Sequence, residues 1–424
     1  MSPELTVLVP LKGRHLHTLR FLWHANAMRM PYHFLIADGQ VHPTIARLLT
    51  NAKTIFPNLD VEYLPYPDDA TLTHFYHKMA DASARIRTPF VMMADNDDFL
   101  VRSGIDTSIE FLKSNCDFAS YGGGVGGFTL NVSRGDALAH VVGSIEHLRF
   151  RYGNSKHYLP TDYAAESVSQ RIRTGFNGSY ALYYNVFRSE ALAQIQTELV
   201  DLDFSDLYVY EQYFGMRAKS LGKSRSDGTV MSYMRQTGTS MFADYRKDWV
   251  DQLLRSRFNS DFDLMVSRIA KVVSLADGID EKVYAEEVRK LYADRLRENL
   301  QIMYGGLPPT AKEDKALSLK LFVKLWLRST MSPWMLEAYR QTFARRKNAK
   351  LISDVGGQDL EMIFSELRRF GASENYIAAF REETNNIYKV LGDGEFIEFI
   401  RGNASEFLFG SEPQREQSAG KALV

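Results

Sequence analysis

The amino-acid sequence predicts an α/β fold, with a mostly parallel sheet flanked by helices and an α-helical C-terminal region after it. Three observations predict it. Short apolar runs alternate with helix-spaced segments through the first hundred residues. Charged residues gather where those runs end. Strand-like runs then all but cease beyond about Tyr245. With 424 residues there is room for two domains, or one large domain with an extension. The boundaries read as 1–244 for the α/β part, 245–410 for the helical region and 411–424 for a polar, disordered tail.

In order, Leu5 to Leu11 (LTVLVPL) is a β-branched apolar run, read as the first strand. Lys12, Gly13 and Arg14 form a loop, and Leu16, Leu19, Phe21, Leu22, Trp23 and Ala27 carry helical spacing from His15 to Met30. His33 to Ala37 is a second strand ended by Asp38-Gly39. Ile45, Leu48, Leu49 and Ala52 mark a second helix, and Leu59 to Leu64 a third strand. The turn Pro65 to Asp69 precedes a helix from about Leu72 to Ile86. A fourth strand ends at Asp95. Four strands alternating with three helices imply βαβ units with right-handed crossovers, and ligands of such sheets bind beyond the carboxyl ends of the strands. Lys12, Arg14, Asp38, Asp68, Asp69 and Asp95 to Asp98 all fall there.

The stretch Thr88 to Leu100 (TPFVMMADNDDFL) is the sharpest of these ends. Asp95, Asp97 and Asp98 put three carboxylates within four residues, so mutual repulsion calls for a cation or a basic partner. Hard oxygen ligands of this kind suit Mg²⁺ or Mn²⁺, completed by a substrate diphosphate. The plainer alternative is a solvated acidic turn that caps the next helix.

A helix from about Ile105 to Ser114 and a strand from Asp117 to Tyr121 follow. Gly122, Gly124 and Gly127 match GxGxxG, but a dinucleotide fingerprint needs a helix directly after the glycines. Phe128 to Val132 is β-prone instead, so a dehydrogenase-type site is excluded. The glycines read as a tight turn or a close backbone approach to a ligand. Residues 140–175, with His147, Arg149, Arg151, Tyr152, His157, Tyr158, Arg171 and Arg173, read as an active-site insertion or a solvated helix pair. Ser179 to Phe187 reads as a strand, Ser189 to Glu198 and Tyr208 to Leu221 as helices, and Thr229 to Met234 as a strand that leads into a polar loop, Arg235 to Ser240. Beyond Tyr245 the pattern is helical, with Trp249, Leu253, Leu254, Phe258, Phe262 and Met265 at helical spacing. Lys312 to Lys350 holds ten Lys or Arg against three Asp or Glu, either a basic membrane-surface face or a core-packed helix with a solvated side.

A formal net charge of −1 gives no electrostatic case for nucleic acid. Cys116 is the only cysteine, which excludes an intramolecular disulfide and a multi-cysteine zinc site and fits a reducing cytoplasm. No run of 18 uncharged apolar residues occurs, and the first residues lack the basic and apolar regions of a signal peptide.

The motifs Val9 to Arg14 (VPLKGR), Ala37 to Gly39 (ADG), Tyr66 to Asp69 (YPDD), Phe75 to Lys78 (FYHK) and Asp95 to Leu100 (DNDDFL) come in order at successive strand ends. In this the first 245 residues resemble the GT-A glycosyltransferases of the family 2 type, in a bacterial and archaeal subgroup. The resemblance implies a Rossmann-like sheet, a nucleotide-sugar donor, a glycan or lipid-linked acceptor and a Mn²⁺ or Mg²⁺ cofactor. It also implies roles for residues. Pro10, Lys12, Arg14, Asp38, Asp69, Lys78, Asp95, Asn96 and Arg235 would bind the donor. Asp95 and Asp97 match the DxD metal motif, and Glu211 in EQYFGMR the catalytic base. Gln212 stands where the family usually has Asp, which leaves Glu211, Asp203 and Asp206 as candidate bases. A sugar-phosphate nucleotidyltransferase and a non-catalytic carbohydrate-binding protein remain the alternatives. A cytoplasmic location, contact with the inner face of a membrane and a homo-oligomer are further expectations.

Overall fold

In the computed structural model the described residues are 2–130, 138, 140–150, 161–175, 182–236, 257–304, 355–392 and 394–405. Strand β1 (Leu5–Leu11) lies at the centre of a parallel group with β2 (His33–Asp38), β3 (Asp60–Pro65) and β4 (Phe90–Met93), in the order β3-β2-β1-β4. The sheet continues through β9 (Val186–Arg188), β6 (Phe118–Leu130), β10 (Lys223–Gln236) and β5 (Phe99–Leu100). The ladder between β6 and β10 is again parallel, while β9 is antiparallel to both β4 and β6. Short antiparallel strands β7 (Ile145–Phe150) and β8 (Thr161–Tyr163) flank β6 and β10.

The period-2 alternation of a strand explains how so apolar a sheet is covered on both faces. Val7, Val9 and Leu11 of β1, with Phe34 and Ile36 of β2, face a cluster that includes Leu16, Leu19 and Phe21 of the helix His15–Ala27. Leu8, Leu35, Ala37, Val91 and Met93 face the opposite cluster, built from the helices Leu72–Ala84, Ser189–Leu202, Leu207–Ser220, Phe258–Asp277 and Glu281–Tyr304. A third cluster joins Phe99, Val101, Phe128 and Met234 to Ile363, Phe364, Leu367 and Phe380 of the helices Val355–Arg369 and Glu374–Gly392. A last helix, Gly394–Asn403, sets Phe396 and Ile400 into the first cluster, beside Trp23.

The βαβ reading of the first hundred residues matches this architecture, as does the helical reading of the described residues beyond 257. Three local readings are corrected. The glycines do not make a turn: they lie inside the thirteen-residue strand β6, where sheet packing is close. A Cβ on Gly122 would come within 2.1 Å of Asn185 Oδ1, and one on Gly126 within 2.2 Å of Met234 Sδ. The described part of 140–175 is not a helix pair, for it contributes β7, β8 and the helix Val168–Gly175. Within the described part of the strand read over Ser179 to Phe187, pairing begins only at Val186 (β9, Val186–Arg188), because Leu182 and Tyr183 sit in a helical turn. Residues 237–256 and 305–354, with the polar loop after Gln236, Trp249 and the basic stretch, lie outside the described residues, as do 151–160 and the tail.

Candidate active site

The carboxyl ends of β1, β2 and β4 meet at one edge of the sheet. Strand β4 stops at Met93, and the chain turns through Asp95 to Asp98 before Phe99 pairs with β10. Asp95, Asp97 and Asp98 each present a carboxylate oxygen within 4.8 Å of the other two. Asp97 and Asp98 are buried, at 6% and 2% exposure. Burial, and then the neighbouring Asp97 charge, push the carboxyls of Asp95 and Asp98 above the usual carboxylate range.

Each carboxylate is met from a different direction. Arg14 Nη1 donates to Asp97 Oδ2 at 2.5 Å. The Tyr184 hydroxyl donates to Asp95 Oδ2. The Gln236 amide donates to Asp98 Oδ1 at 3.0 Å, and Asp98 Oδ2 is buried with no hydrogen-bond partner. Arg235, at the end of β10, completes the ring: burial opposes its charge, yet Tyr184, Asp98, Tyr233 and Asp95 hold its pKa above the ordinary value. An orphaned, buried carboxylate oxygen within a three-carboxylate cluster fits a hard divalent cation, because such an ion takes oxygen ligands and offsets their repulsion. The donor set therefore fits Mg²⁺ or Mn²⁺.

Asn96 turns the other way. Its Nδ2 donates to the Arg14 carbonyl at 3.1 Å and to Thr18 Oγ1 at 2.9 Å, which pins the acidic turn to the loop after β1. That loop runs through Gly13 (φ 69°) and Arg14 (φ 53°, ψ 41°), both in the left-handed region. For a non-glycine residue this conformation costs roughly 1–2 kcal/mol. The Arg14 carbonyl offsets it by also accepting from the His17 and Thr18 amides that open the helix.

The remaining expected donor residues extend the same edge. Asp38 is fully buried at the end of β2, with Oδ2 accepting from the Tyr63 hydroxyl at 2.7 Å and Oδ1 from the Gln40 amide at 2.9 Å. Asp69 is paired with Lys78 at 2.5 Å, and both side chains are 2% exposed. Burial lowers the Lys78 pKa, and Asp69 opposes that shift. Lys78 also reaches the Leu11 carbonyl, and Asp69 fills the place where a side chain on Gly39 would go, so ADG and YPDD interlock. Asp68, by contrast, is exposed, as is Lys12, while Pro10 is half-buried.

Glu211 is half-buried on the helix Leu207–Ser220. Burial, then Tyr210 and Asp95, and then the Glu211 charge raise the pKa of the Tyr183 hydroxyl, while burial, then Glu211, and then Asp95 raise that of Tyr210. Asp206 caps that helix by accepting from the Tyr208 and Val209 amides, and Asp203 accepts from Thr73. Two residues at this edge escape a sequence reading. Tyr184 is hidden in an aromatic run whose pattern is that of a strand. Arg20 is fully buried behind the acidic turn, donating to the Asp97 carbonyl at 2.5 Å, to the Val141 carbonyl at 2.8 Å and to Gln236 Oε1 at 2.7 Å. The signal for Arg20 was a charge embedded in the apolar stripe Leu19, Phe21, Leu22.

No family model matches the chain, and no curated protein matches it either. Among solved structures, the crystal structure of S. aureus TarS is similar at 13% identity and a TM-score of 0.43, over 70% of this chain. This chain spans 43% of that one. TarS 1–349 is similar at 13% identity and a TM-score of 0.42, with 92% of this chain and 91% of that one covered. Its complex with UDP-GlcNAc gives 13% identity, a TM-score of 0.40 and the same coverage.

Proposed function

We propose that this chain is a metal-dependent glycosyltransferase that moves a sugar from a nucleotide-sugar donor to a glycan or lipid-linked acceptor. The observation that carries the reading is the convergence of Asp95, Asp97 and Asp98, one oxygen of which is buried without a partner, between the guanidinium groups of Arg14 and Arg235. Three carboxylates with two guanidinium charges acting on them suit a diphosphate held through a divalent ion. Asp97, with Asp95 and Asp98, would hold Mg²⁺ or Mn²⁺, and the bound ion would act as a Lewis acid on the leaving diphosphate.

The protein's own groups do the rest. Arg14 and Arg235 add charge beside the diphosphate, and the Asp38, Asp69 and Lys78 network braces the β1 and β2 ends on which the nucleoside would rest. Tyr184 and Asn96 keep the acidic turn in register. Glu211 is the group we assign to take the proton from the attacking acceptor hydroxyl, with inversion at the anomeric carbon. Asp206 is committed to its helix cap, which favours Glu211 over it. In this reading the helical region 245–410 meets the acceptor, a membrane surface on the cytoplasmic side or a second copy of the chain. No helix among the described residues is long and apolar enough to cross a membrane.

The test is a screen of nucleotide sugars with Mn²⁺, read by nucleoside diphosphate release. Asp97→Ala is expected to lower turnover at least a hundredfold, since a lost transition-state charge contact is worth several kcal/mol. Glu211→Gln should leave donor binding intact while lowering kcat. Pyrophosphate release from a nucleoside triphosphate and a sugar phosphate would establish the nucleotidyltransferase alternative instead.

A further inference from the structure

We propose that Arg14 is a latch that competes with the divalent cation for Asp97 and passes to the donor's diphosphate when Asp97 turns to the metal. The inference rests on the metal and diphosphate reading of this site, and goes beyond it by giving one arginine two successive anionic partners.

The geometry separates Arg14 from the other groups around the cluster. Asp95 and Asp98 are met by groups of buried residues, the Tyr184 hydroxyl before β9 and the Gln236 amide at the end of β10. The Asp97 backbone is held from behind by buried Arg20. The Asp97 carboxylate also pairs with a partly exposed side chain: that of Arg14 is 23% exposed and that of Asp97 8%. The Arg14 backbone is fixed by Asn96 and by the first turn of the helix His15–Ala27, so a change of partner needs only side-chain rotation. Carboxylate oxygens of Asp95, Asp97 and Asp98 lie within 4.8 Å of one another, so a cation held by all three must share Asp97 with the guanidinium. A guanidinium released there faces the next anion to arrive, and its planar fork suits phosphate as well as it suits carboxylate.

A latch and a plain structural ion pair differ in the sign of one measurement. Mn²⁺ binding without nucleotide, followed by titration calorimetry or by the electron-spin signal of the free ion, is compared in wild type, Arg14→Gln and Arg14→Lys. Arg14→Gln is expected to bind Mn²⁺ about fivefold more tightly, as suits the loss of one partly exposed competing charge pair. With Mn²⁺ saturating, the best binder among ADP, GDP, UDP and CDP should bind Arg14→Gln about tenfold more weakly, the loss of one charge-assisted contact. Arg14→Lys keeps the cation on Asp97 and should hold Mn²⁺ as the wild type does. It should lose nucleotide affinity, because an ammonium lacks the fork. Mn²⁺ affinity that is unchanged or weaker in Arg14→Gln, or tighter in Arg14→Lys, overturns the latch while leaving the metal site standing. A wild-type protein that binds no Mn²⁺ at all overturns the site reading, and the latch with it.

Discussion

Arg20 and His24 occupy one buried face of the helix His15–Ala27, a turn apart, and together tie the acidic turn to the interior. Burial brings the Arg20 pKa down to about 10, which still leaves it charged at neutral pH, and its guanidinium plane lies 4.7 Å from the Phe99 ring centre. His24 Nε2 donates to the Leu100 carbonyl at 3.1 Å, just past the acidic turn, and Nδ1 accepts from Asn386 Nδ2 at 3.1 Å. Burial, against the Leu100 hydrogen bond and with the Arg20 charge, lowers the His24 pKa to about 4 from an ordinary 6.5. Above pH 6.5 neither folded nor unfolded chain binds a proton here, so His24 leaves stability independent of pH. Between pH 6.5 and about 4 the unfolded chain takes a proton that the folded chain refuses, and stability falls by about 1.4 kcal/mol per pH unit. His24→Gln should remove that slope: urea midpoints at pH 7.0, 5.5 and 4.5 should fall more steeply for wild type than for the variant, and parallel slopes would refute the assignment. At this scale the sequence revealed charge clusters but not their partners. Asp95, Asp97, Asp98 and Arg14 stood out because carboxylates and guanidinium groups at strand ends are costly without a purpose. Tyr184 and Arg20 did not, because a tyrosine in an aromatic run and an arginine in a helix are both ordinary until burial shows what they hold.

Among the elements, the helix Glu374–Gly392 does most to join distant parts of the chain. Tyr376 supplies its hydroxyl to the Met231 amide at 2.6 Å and donates to the Met231 carbonyl at 3.3 Å. Met231 sits where the register of β10 against β6 shifts, so the tyrosine satisfies backbone groups that an irregular ladder leaves over. Glu383 Oε1 accepts from the Ser103 amide at 2.9 Å, at the start of the helix Arg102–Ser114. That helix has no side-chain cap of its own from Val101, so Glu383 acts as an N-cap supplied from 280 residues away. Glu383→Ala should therefore destabilise the protein by about 1–2 kcal/mol, the cost of a lost cap. Hydrogen exchange should locate the change in the first turn of Arg102–Ser114, and uniform loss of protection across the sheet would argue against a local cap. Helical periodicity made the helix visible in the sequence. Its targets were not visible, because a glutamate on a helix carries no mark of which amide it will meet. The same limit applies to β6, whose glycines read as punctuation until Asn185 and Met234 are seen packed against them.

For the whole molecule, the sequence suggested an α/β unit ending near residue 244 and a separate helical region. Hydrophobic packing connects the two. The helices from Val355 to Asn403 place Ile363, Phe364, Leu367, Ile377, Phe380, Ile387, Val390 and Leu391 against Phe99, Val101, Phe128 and Met234, and add Phe396 and Ile400 to the cluster under Trp23. Phe99 and Val101 directly follow the acidic turn, so these helices cover the back of the candidate site. Burying one such side chain is worth roughly 1.5–3 kcal/mol. The loss of several together equals or exceeds the roughly 5–15 kcal/mol by which a domain is stable. A chain ended after residue 354 should consequently be recovered in inclusion bodies, or as a species that binds a hydrophobic dye and lacks a cooperative thermal transition. The full chain should unfold the sheet and the helices Val355–Arg369 and Glu374–Gly392 in one step, with coincident fluorescence and circular-dichroism midpoints. A truncated chain that stays soluble and melts cooperatively at the full-length midpoint would make these helices an appendage. The contacts of Glu383, Asn386 and Tyr376 argue otherwise, because each satisfies a polar group in the sheet half that truncation would leave exposed or unpaired.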